Sequence, residues 1–576
     1  MPIKKNWEVF VLFLGLLWGV YAYYPSLINP YVIADDVRVC TYWIAQYQDR
    51  ELFQDDLLTI GTQFGWPWGF QFLYYLSSFV SDPFFFGTLL TIFLLAISAL
   101  FLYKIGEHIH GSFVGFLSAL LFLMTPMYLS RMAGGLPRTF GYPLIILFLY
   151  YLIQKKYFQT LLVLILQCLF YPMIFLVSIL TYAMTFLGDF QNKRLWSPSF
   201  GQLKYFGASV FICGLLLMGK HGFSQDPQIG KPFTRETMVK MPEFYRHVGR
   251  WYDLLPILPV FQEVEKNIME GNMISGLMIL HSKGLPPALR KNCIRLIFGL
   301  ALFFLVIEIV RKKVIFPREI LFLFLASVLF YRLADYLLFQ LYVPSRYVIF
   351  TVPLMGLLIF AVALELLLGK IKPLPLRRVV QIGILLFLLL SVRFDRNSFL
   401  IDETPRRDLY RFLSDLPKDA LIAAHPHLAD NIPAFSKRKV FVNDETAVPL
   451  YDTYWNSVKK RLFEFFNLYY ADNPLFMYQY CVQKGIDYMV VRGEDFEPSF
   501  LARKQFYFYP FNPFIVEITE KRKDFVLKQI PDEFKIFQKD HLYVIPRESL
   551  LMVTLRESNR GRDPGKDQGQ QVHQGK

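Results

Sequence analysis

Cysteine is scarce in this 576-residue chain, and the five present, at 40, 168, 213, 293 and 481, show no CxxC pair and no Cys/His ligand spacing. That pattern excludes a zinc ribbon and gives no sign of a disulfide framework, leaving only a Cys40–Cys481 bridge open. Phosphate-cradling glycine loops are missing as well. Without a GxxxxGK followed by Ser or Thr, and without a strand-flanked GxGxxG, neither nucleotide hydrolysis nor a nucleotide-cofactor reaction has a recognisable site. Charge is also thin: 19% of residues are Asp, Glu, Lys or Arg, against 54% hydrophobic and 17% aromatic. Soluble chains are less apolar than this, so the sequence reads as a polytopic membrane protein. The formal net charge of +14 does not point to nucleic acid, because Lys and Arg fall in short tracts between apolar runs, as cytoplasmic loops require. No fixed-period repeat is evident.

Met1-Pro-Ile-Lys4-Lys5 precedes an apolar run from Trp7 to Tyr24 that lacks a small-residue cleavage site, the pattern of an uncleaved signal anchor with a cytoplasmic basic end. Residues 25–82 follow as a long non-cytoplasmic loop rich in Asp, Trp, Tyr and Phe, a composition that suits the headgroup level. Further spans are expected at about 83–103, 113–128 and 139–153. The run from Phe158 to Leu187 is too long for one span, since roughly 30 residues make a helix of about 45 Å against a core of about 30 Å. Two short spans turning at Tyr171-Pro172 put Lys155-Lys156, Lys193-Arg194, Arg311-Lys312-Lys313 and the Lys370 to Arg378 tract all on the cytoplasmic side. A span at 204–219, a second outer segment at 220–291 expected to cover the active-site cavity, and spans at 292–310, 318–334, 347–367 and 379–393 complete about eleven.

The expected fold class is therefore an α-helical polytopic membrane domain of about 11 transmembrane helices, residues 1–393, plus a small C-terminal α/β extracytoplasmic domain, residues 394–550. Short apolar runs within Asp419–His425, Lys439–Asn443 and Ile486–Val491 mark its strands. From Arg556 almost nothing is apolar, and residues 551–576 are expected as a disordered tail.

The stretch with most chemical potential is Tyr31-Val-Ile-Ala-Asp35-Asp36-Val-Arg38, continued by Asp49-Arg-Glu-Leu-Phe-Gln-Asp55-Asp56. Carboxylates just beyond a membrane helix stay hydrated while facing lipid-borne substrates. An outward-facing enzyme has no nucleotide-sugar, so an activated substrate must arrive through the bilayer, most naturally as a sugar on a polyprenyl phosphate. Such a transfer needs a carboxylate to take the acceptor's proton and cations to stabilise the departing phosphate. Two adjacent carboxylates tend to raise one pKa, which suits either a base or a divalent-metal ligand, and Asp35, Asp36, Asp55 and Asp56 are all candidates for such an ion. A helix cap or a solvated turn is the plain alternative. Arg131 and Arg138 flank Gly134-Gly135, where a guanidinium would either bind a lipid phosphate or snorkel to ordinary headgroups. Lys220-His221 is a further cationic pair for a pyrophosphate, or is simply hydrated. Asp335 is expected to pair with a neighbouring arginine. His425 and His427 flank Pro426 but lack a third ligand at metal spacing.

Asp35-Asp36 just after the first span, the aromatic outer loop, many spans of matching orientation and a C-terminal outer domain together resemble the C-type glycosyltransferases. That superfamily includes protein mannosyltransferases, oligosaccharyltransferases and aminoarabinose transferases. The wider pattern, Asp35-Asp-Val-Arg38 with Glu51-Leu-Phe-Gln-Asp55-Asp-Leu-Leu58, then Gly134-Gly-Leu-Pro-Arg138 and Pro344-Ser-Arg346-Tyr347, resembles the glycosyltransferase-39-like branch of bacterial membrane proteins. The resemblance implies a multi-pass protein of the bacterial inner membrane with its C-terminal domain on the periplasmic side. It also implies a lipid-linked sugar donor and membrane lipids as partners. It maps the acidic motif onto Asp35 and Asp36 as catalytic residues and places Arg346-Tyr347 near the donor phosphate, an aromatic-belt anchor being the other reading of that pair. If residues 33–46 are helical, Asp35 is the N-cap and Asp36, in the first turn, is the base free to meet an acceptor hydroxyl. Arg138 and Arg346 are expected to approach each other.

A transporter or flippase of lipid-linked glycans and a surface-polysaccharide polymerase or ligase are the alternatives. A transporter would carry ionisable residues and Gly/Pro breaks at mid-span in paired halves, whereas the charges here crowd the outer ends.

Overall fold

A long apolar run can satisfy its own backbone hydrogen bonds only as a helix once it leaves water, and the N-terminal two-thirds of the chain obeys this. The computed structural model describes residues 2–187, 198–223, 226–254, 262, 287–311, 316–338, 340–391 and 399–560. Helix α1 (Pro2–Ile28) is followed by a short strand, β1 (Val32–Ala34), and then by α2 (Asp35–Cys40), α3 (Leu57–Phe64) and α4 (Trp68–Ser77). The bundle continues through α5 (Pro83–His110), α6 (Ser112–Met124), α7 (Pro126–Met132), α8 (Gly141–Ile153), α9 (Tyr157–Phe170), α10 (Pro172–Met184) and α11 (Phe200–Phe223). Helices Pro287–Val310, Arg318–Leu337, Val352–Leu368 and Leu374–Ser391 complete it.

Among the described residues five helices are long and apolar enough to cross a membrane: Trp7–Ile28, Pro83–His110, Phe200–Lys220, Arg318–Leu337 and Arg346–Leu368. The bent pair Ser112–Met124 and Pro126–Gly135, broken by 64°, makes a sixth if it is one span. These helices make the chain a multi-pass membrane protein, with five or six full-length spans among the described residues beside the eleven expected. The expected spans at 139–153 and within 158–187 fall on shorter apolar helices, and the run to Leu187 does break at Tyr171, whose ψ of 80° is not helical. The final expected span lies in Leu374–Ser391, ending where the described residues pause.

Close helix contact needs small residues. Gly15 of α1 faces α5 so closely that a Cβ there would sit 2.7 Å from the Ala96 backbone Cα, the small-residue device of membrane helix packing. The four cysteines described, Cys40, Cys168, Cys213 and Cys481, are all free, so the Cys40–Cys481 bridge is not made.

Beyond the bundle, β2 (Leu400–Asp402) returns to β1 and the chain enters a five-stranded mixed sheet. Its strands are β3 (Leu421–Ala424), β4 (Lys439–Val440), β5 (Tyr488–Arg492), β6 (Phe537–Lys539) and β7 (Leu542–Pro546), in the order β4-β3-β5-β7-β6. β3 runs parallel to both β4 and β5, whereas β7 is antiparallel to β5 and β6. Met489, Val490 and Val491 of β5 are all buried, the unbroken apolar run of a strand covered on both faces. The last helix, Arg547–Arg560, runs through the start of the stretch expected as a disordered tail, and residues 561–576 lie outside the described residues.

The two largest buried clusters divide the molecule unevenly. One fills the helical bundle, and the other fills the sheet region but also takes in Leu57 and Leu58 of α3 and Ile229. The loop after α1 thus contributes side chains to the C-terminal core, which no reading of 25–82 as an interfacial loop anticipates. Residues 226–254 of the second outer segment also lie against the C-terminal region: Phe233 N donates to Leu450 O at 3.0 Å and Asp452 N to Lys231 O at 2.9 Å. Residues 255–261 and 263–286, expected to cover the cavity, lie outside the described residues.

Packing at Gly15 yields a test: Gly15→Val should cost about 1–3 kcal/mol by overpacking α1 against α5. A thermal-stability scan in detergent would show it as a lower melting temperature than that of a Gly15→Ala variant.

Candidate active site

Strand pairing fixes the acidic stretch before any side chain acts. β1 pairs antiparallel with β2, Val32 opposite Asp402 and Ala34 opposite Leu400. Asn29 Nδ2 donates to Thr404 Oγ1 at 2.8 Å and Glu403 N to Tyr31 O at 2.9 Å. α2 starts directly at the end of β1, with both carboxylates in its first turn, where the helix dipole favours negative charge.

The helix expected over 33–46 stops at Cys40 and gives way to a 3-10 turn over Tyr42–Tyr47. Nor is Asp35 the cap. Ala34 holds that position without a side-chain bond, because Asp35 Oδ1 instead accepts from Arg38 Nη2 at 2.7 Å and Nε at 3.2 Å. Successive helical residues point about 100° apart, so the two carboxylates part company. Asp35 turns with Arg38 towards the C-terminal region, and Asp36 turns towards the bundle.

Asp36 meets Arg138 there in an ion pair whose members stand 102 positions apart in sequence. The approach depends on the Gly134-Gly135 turn, with φ of +88° and +66°. A Cβ on Gly134 would overlap Val37 and lie 3.1 Å from the Ala34 Cβ, so only glycine lets the turn lie against α2. Tyr74 OH donates to Gly135 O at 2.9 Å and Gly135 N donates to Thr91 Oγ1 at 2.8 Å, pinning the turn to α4 and α5. The 3-10 turn Pro137–Phe140 then carries Arg138 back to Asp36.

The Asp36 side chain is 38% exposed. Partial burial alone would raise its carboxyl, but Arg138, with Arg346 and Arg131 behind it, holds it below the usual carboxylate range. The same three arginines act on Tyr171 at the break between α9 and α10. The charges of Arg138 and Arg346 thus both act on the Asp36 carboxyl. Cys40, one turn on from Asp36, feels the charges of Asp36 and Arg138 and also of Glu445 and Arg38. Two charged groups thus occupy adjacent faces of one short helix.

The second group was not foreseen. Arg38 is 9% exposed and, besides Asp35, approaches Asp430 at 3.5 Å and Glu445 at 3.9 Å. Glu445 is also held by Arg250 at 2.8 Å, and Arg250 pairs with Asp444. Burial, with Asp444 alongside, pushes the Asp430 carboxyl up to about 8. Burial would raise Asp444 too, but His427, Arg250 and Tyr507 hold it low. The sequence signal for this network was slight, an acidic Asp444-Glu445 following β4 and a buried arginine three residues after Asp35.

The remaining candidates scatter. Asp56 caps α3, its Oδ2 accepting from Thr59 N at 2.9 Å and Thr59 Oγ1 at 2.7 Å, and Asp55 is an exposed residue with φ +53°. Asp35, Asp36, Asp55 and Asp56 therefore form no joint metal-ligand group among the described residues. Tyr347 is buried, its hydroxyl donating to Leu341 O at 2.7 Å and its ring stacked on Phe330. Lys220 Nζ donates to Phe64 O at 3.2 Å; the His221 side chain lies outside the described residues. Asp335 pairs with Arg235 at 2.7 Å and, more loosely, with Arg332 at 4.0 Å.

No family model and no curated protein matches the chain. Among solved structures it is similar to the oligosaccharyltransferase AglB of Archaeoglobus fulgidus in complex with an inhibitory peptide and a dolichol-phosphate. The identity is 11% and the TM-score 0.44, over 88% of this chain and 72% of that one. The apo form of the Archaeoglobus fulgidus oligosaccharyltransferase scores 0.39 at 11% identity, over 90% and 73% of the two chains. The mycobacterial arabinofuranosyltransferase AftD scores 0.44 at 12% identity, over 85% of this chain and 37% of its own. At such scores the likeness decides nothing about substrate, and the site's own residues must.

Removing the buried cation of the second group tests its weight. Arg38→Met leaves Asp430 buried beside Asp444 without its guanidinium and should cost about 3–5 kcal/mol, whereas Asp35→Asn, at a more exposed side chain, should change the melting temperature little. Equal effects from both variants would show that Arg38 serves only Asp35.

Proposed function

We propose that this chain is a C-type membrane glycosyltransferase that moves a sugar from a polyprenyl-phosphate donor to an acceptor on the extracytoplasmic side, with Asp36 as the general base. One observation carries the reading: a single partly exposed carboxylate at the end of the membrane bundle lies in the field of three arginines, Arg138, Arg346 and Arg131. A base that must be ionised at neutral pH and cations that must receive a departing phosphate are the two requirements of such a transfer.

The arrangement also suggests how the two roles cooperate. In the resting site Arg138 occupies Asp36 and makes it a weak base. A donor phosphate drawn to the arginines competes for the Arg138 guanidinium, which binds phosphate as well as carboxylate. Asp36 then loses part of its counter-charge, its proton affinity rises, and it accepts the acceptor hydroxyl's proton as the sugar–phosphate bond breaks. The base is thus strengthened only when the donor is present.

Acceptor identity, hexosyl or pentosyl transfer, and a divalent ion at Asp35 or Asp36 are not needed by this account. One feature favours a lipid-translocating reading instead, the 64° break between α6 and α7 just before Arg131, since broken spans line transporter sites. Translocation moves the lipid without cleaving it, so one assay separates the two.

Sugar released from a purified lipid-linked donor into an acceptor fraction is the measurement. Asp36→Asn should lower transfer about 10²–10⁴-fold with normal insertion, and Arg138→Gln should cost about 2–4 kcal/mol of transition-state stabilisation. Because Arg138 depresses the Asp36 carboxyl, the acid limb of kcat/KM should lie below the usual carboxylate range in the wild type and move upward in Arg138→Gln. Wild-type transfer by Asp36→Asn would remove Asp36 as the base, and translocation without cleavage would favour the transporter.

A further inference from the structure

His425 and His427 lack a third ligand nearby in sequence, yet folding supplies one. His427 Nδ1 lies 3.0 Å from Asp444 Oδ2, and one carboxylate oxygen each from Asp430 and Asp444 lies with that nitrogen in a group spanning no more than 4.8 Å. Ligands around a tetrahedral zinc stand about 3.4 Å apart, given metal–ligand distances of about 2.1 Å. The His427–Asp444 pair is thus already near ligand spacing, and Asp430 needs to close by at most about 1.4 Å.

Ionisable groups crowd this place. Asp35, Asp430, Asp444 and Glu445 bring four carboxylates, whereas Arg38 and Arg250 bring two guanidinium groups. Asp430 and Asp444 are both buried, where uncompensated charge is costly. A second, independent feature lies beside them. His425 is 2% exposed, its Nδ1 has no hydrogen-bond partner, and its ring centroid is 5.3 Å from that of His427. Asn431 Oδ1, adjacent to Asp430, is likewise buried without a donor. Buried polar atoms are almost always paired, and a lone imidazole nitrogen and a lone amide oxygen are both cation ligands.

We propose that His427, Asp430 and Asp444 form a divalent transition-metal site in the C-terminal region, with the His425 imidazole beside it. One imidazole and two carboxylates suit zinc or manganese, and calcium, which prefers oxygen-only cages, much less. Through Asp430 and Arg38 a divalent ion would brace the helix that carries Asp36. Arg250 and Tyr507, which both hold Asp444, become the outer contacts that orient this ligand. The site does not depend on the transferase reading.

The full-length protein in detergent, stripped with a chelator and dialysed, is titrated separately with Zn²⁺ and Mn²⁺. Bound ion is counted by elemental mass spectrometry and the melting temperature followed. One equivalent of at least one ion should bind and raise the melting temperature by several degrees, and His427→Ala and Asp430→Asn should each weaken binding at least tenfold. His427 is largely exposed, so His427→Ala decides the matter if Asp430→Asn fails to fold. No stoichiometric ion, or unchanged affinity in His427→Ala, overturns the proposal. So does loss of the ion in Asp36→Asn alone, which would place it at the acidic helix.

Discussion

The ion pair between Asp36 and Arg138 is the contact on which the candidate site turns, and neither partner reaches it by local sequence. Asp36 is presented by a six-residue helix that could not stand alone in water. It is held by a strand pairing at one end and by buried Val37 and Val39 beneath. Arg138 arrives through a two-glycine turn in which a Cβ would strike Val37 at Gly134 and Gly87 or Tyr74 at Gly135. A charge pair assembled this way is preorganised, because the cost of bringing the two groups together is met by folding and not at the moment of reaction.

The same short helix joins the two halves of the molecule. Its Asp36 face belongs to the bundle, and its Arg38 face belongs to a charged network rooted in the C-terminal region. α3 reinforces the join by placing Leu57 and Leu58 in the C-terminal core. The C-terminal region is therefore built into the site's foundations and is not an appendage on a tether. A substrate or ion that shifts Asp430, Asp444 or Glu445 has a direct mechanical route to the base.

Much of this was legible from sequence, and what was missed has common causes. The Asp35-Asp36 stretch, the arginines at 131, 138 and 346 and the break at Tyr171-Pro172 stood out because charge and proline interrupt apolar runs. The strands β3, β4 and β5 announced themselves as short apolar runs, but β6 and β7 did not, since Phe537-Gln-Lys539 is polar and β7 follows it at once through Asp540, at φ +53°. β1 was invisible because its partner β2 lies beyond the whole bundle, and pairing at that separation leaves no local periodicity. Asp35 as N-cap was a sound expectation from propensity, overturned by Arg38, whose guanidinium outcompetes the backbone for that carboxylate. Five or six full-length spans are counted among the described residues beside the eleven expected, because several expected spans fall on helices of 13 or 14 residues such as α8, α9 and α10.

The central claim is that Asp36 and a donor phosphate compete for the same arginines. Equilibrium binding of a polyprenyl monophosphate to the purified protein measures this directly, with Asp36→Asn, Arg138→Gln and Arg346→Gln compared at one ionic strength. The account predicts saturable binding that weakens at least tenfold in both arginine variants and tightens in Asp36→Asn, because removing the carboxylate releases Arg138. Weaker binding in Asp36→Asn, or affinity indifferent to Arg138 and Arg346, would contradict it.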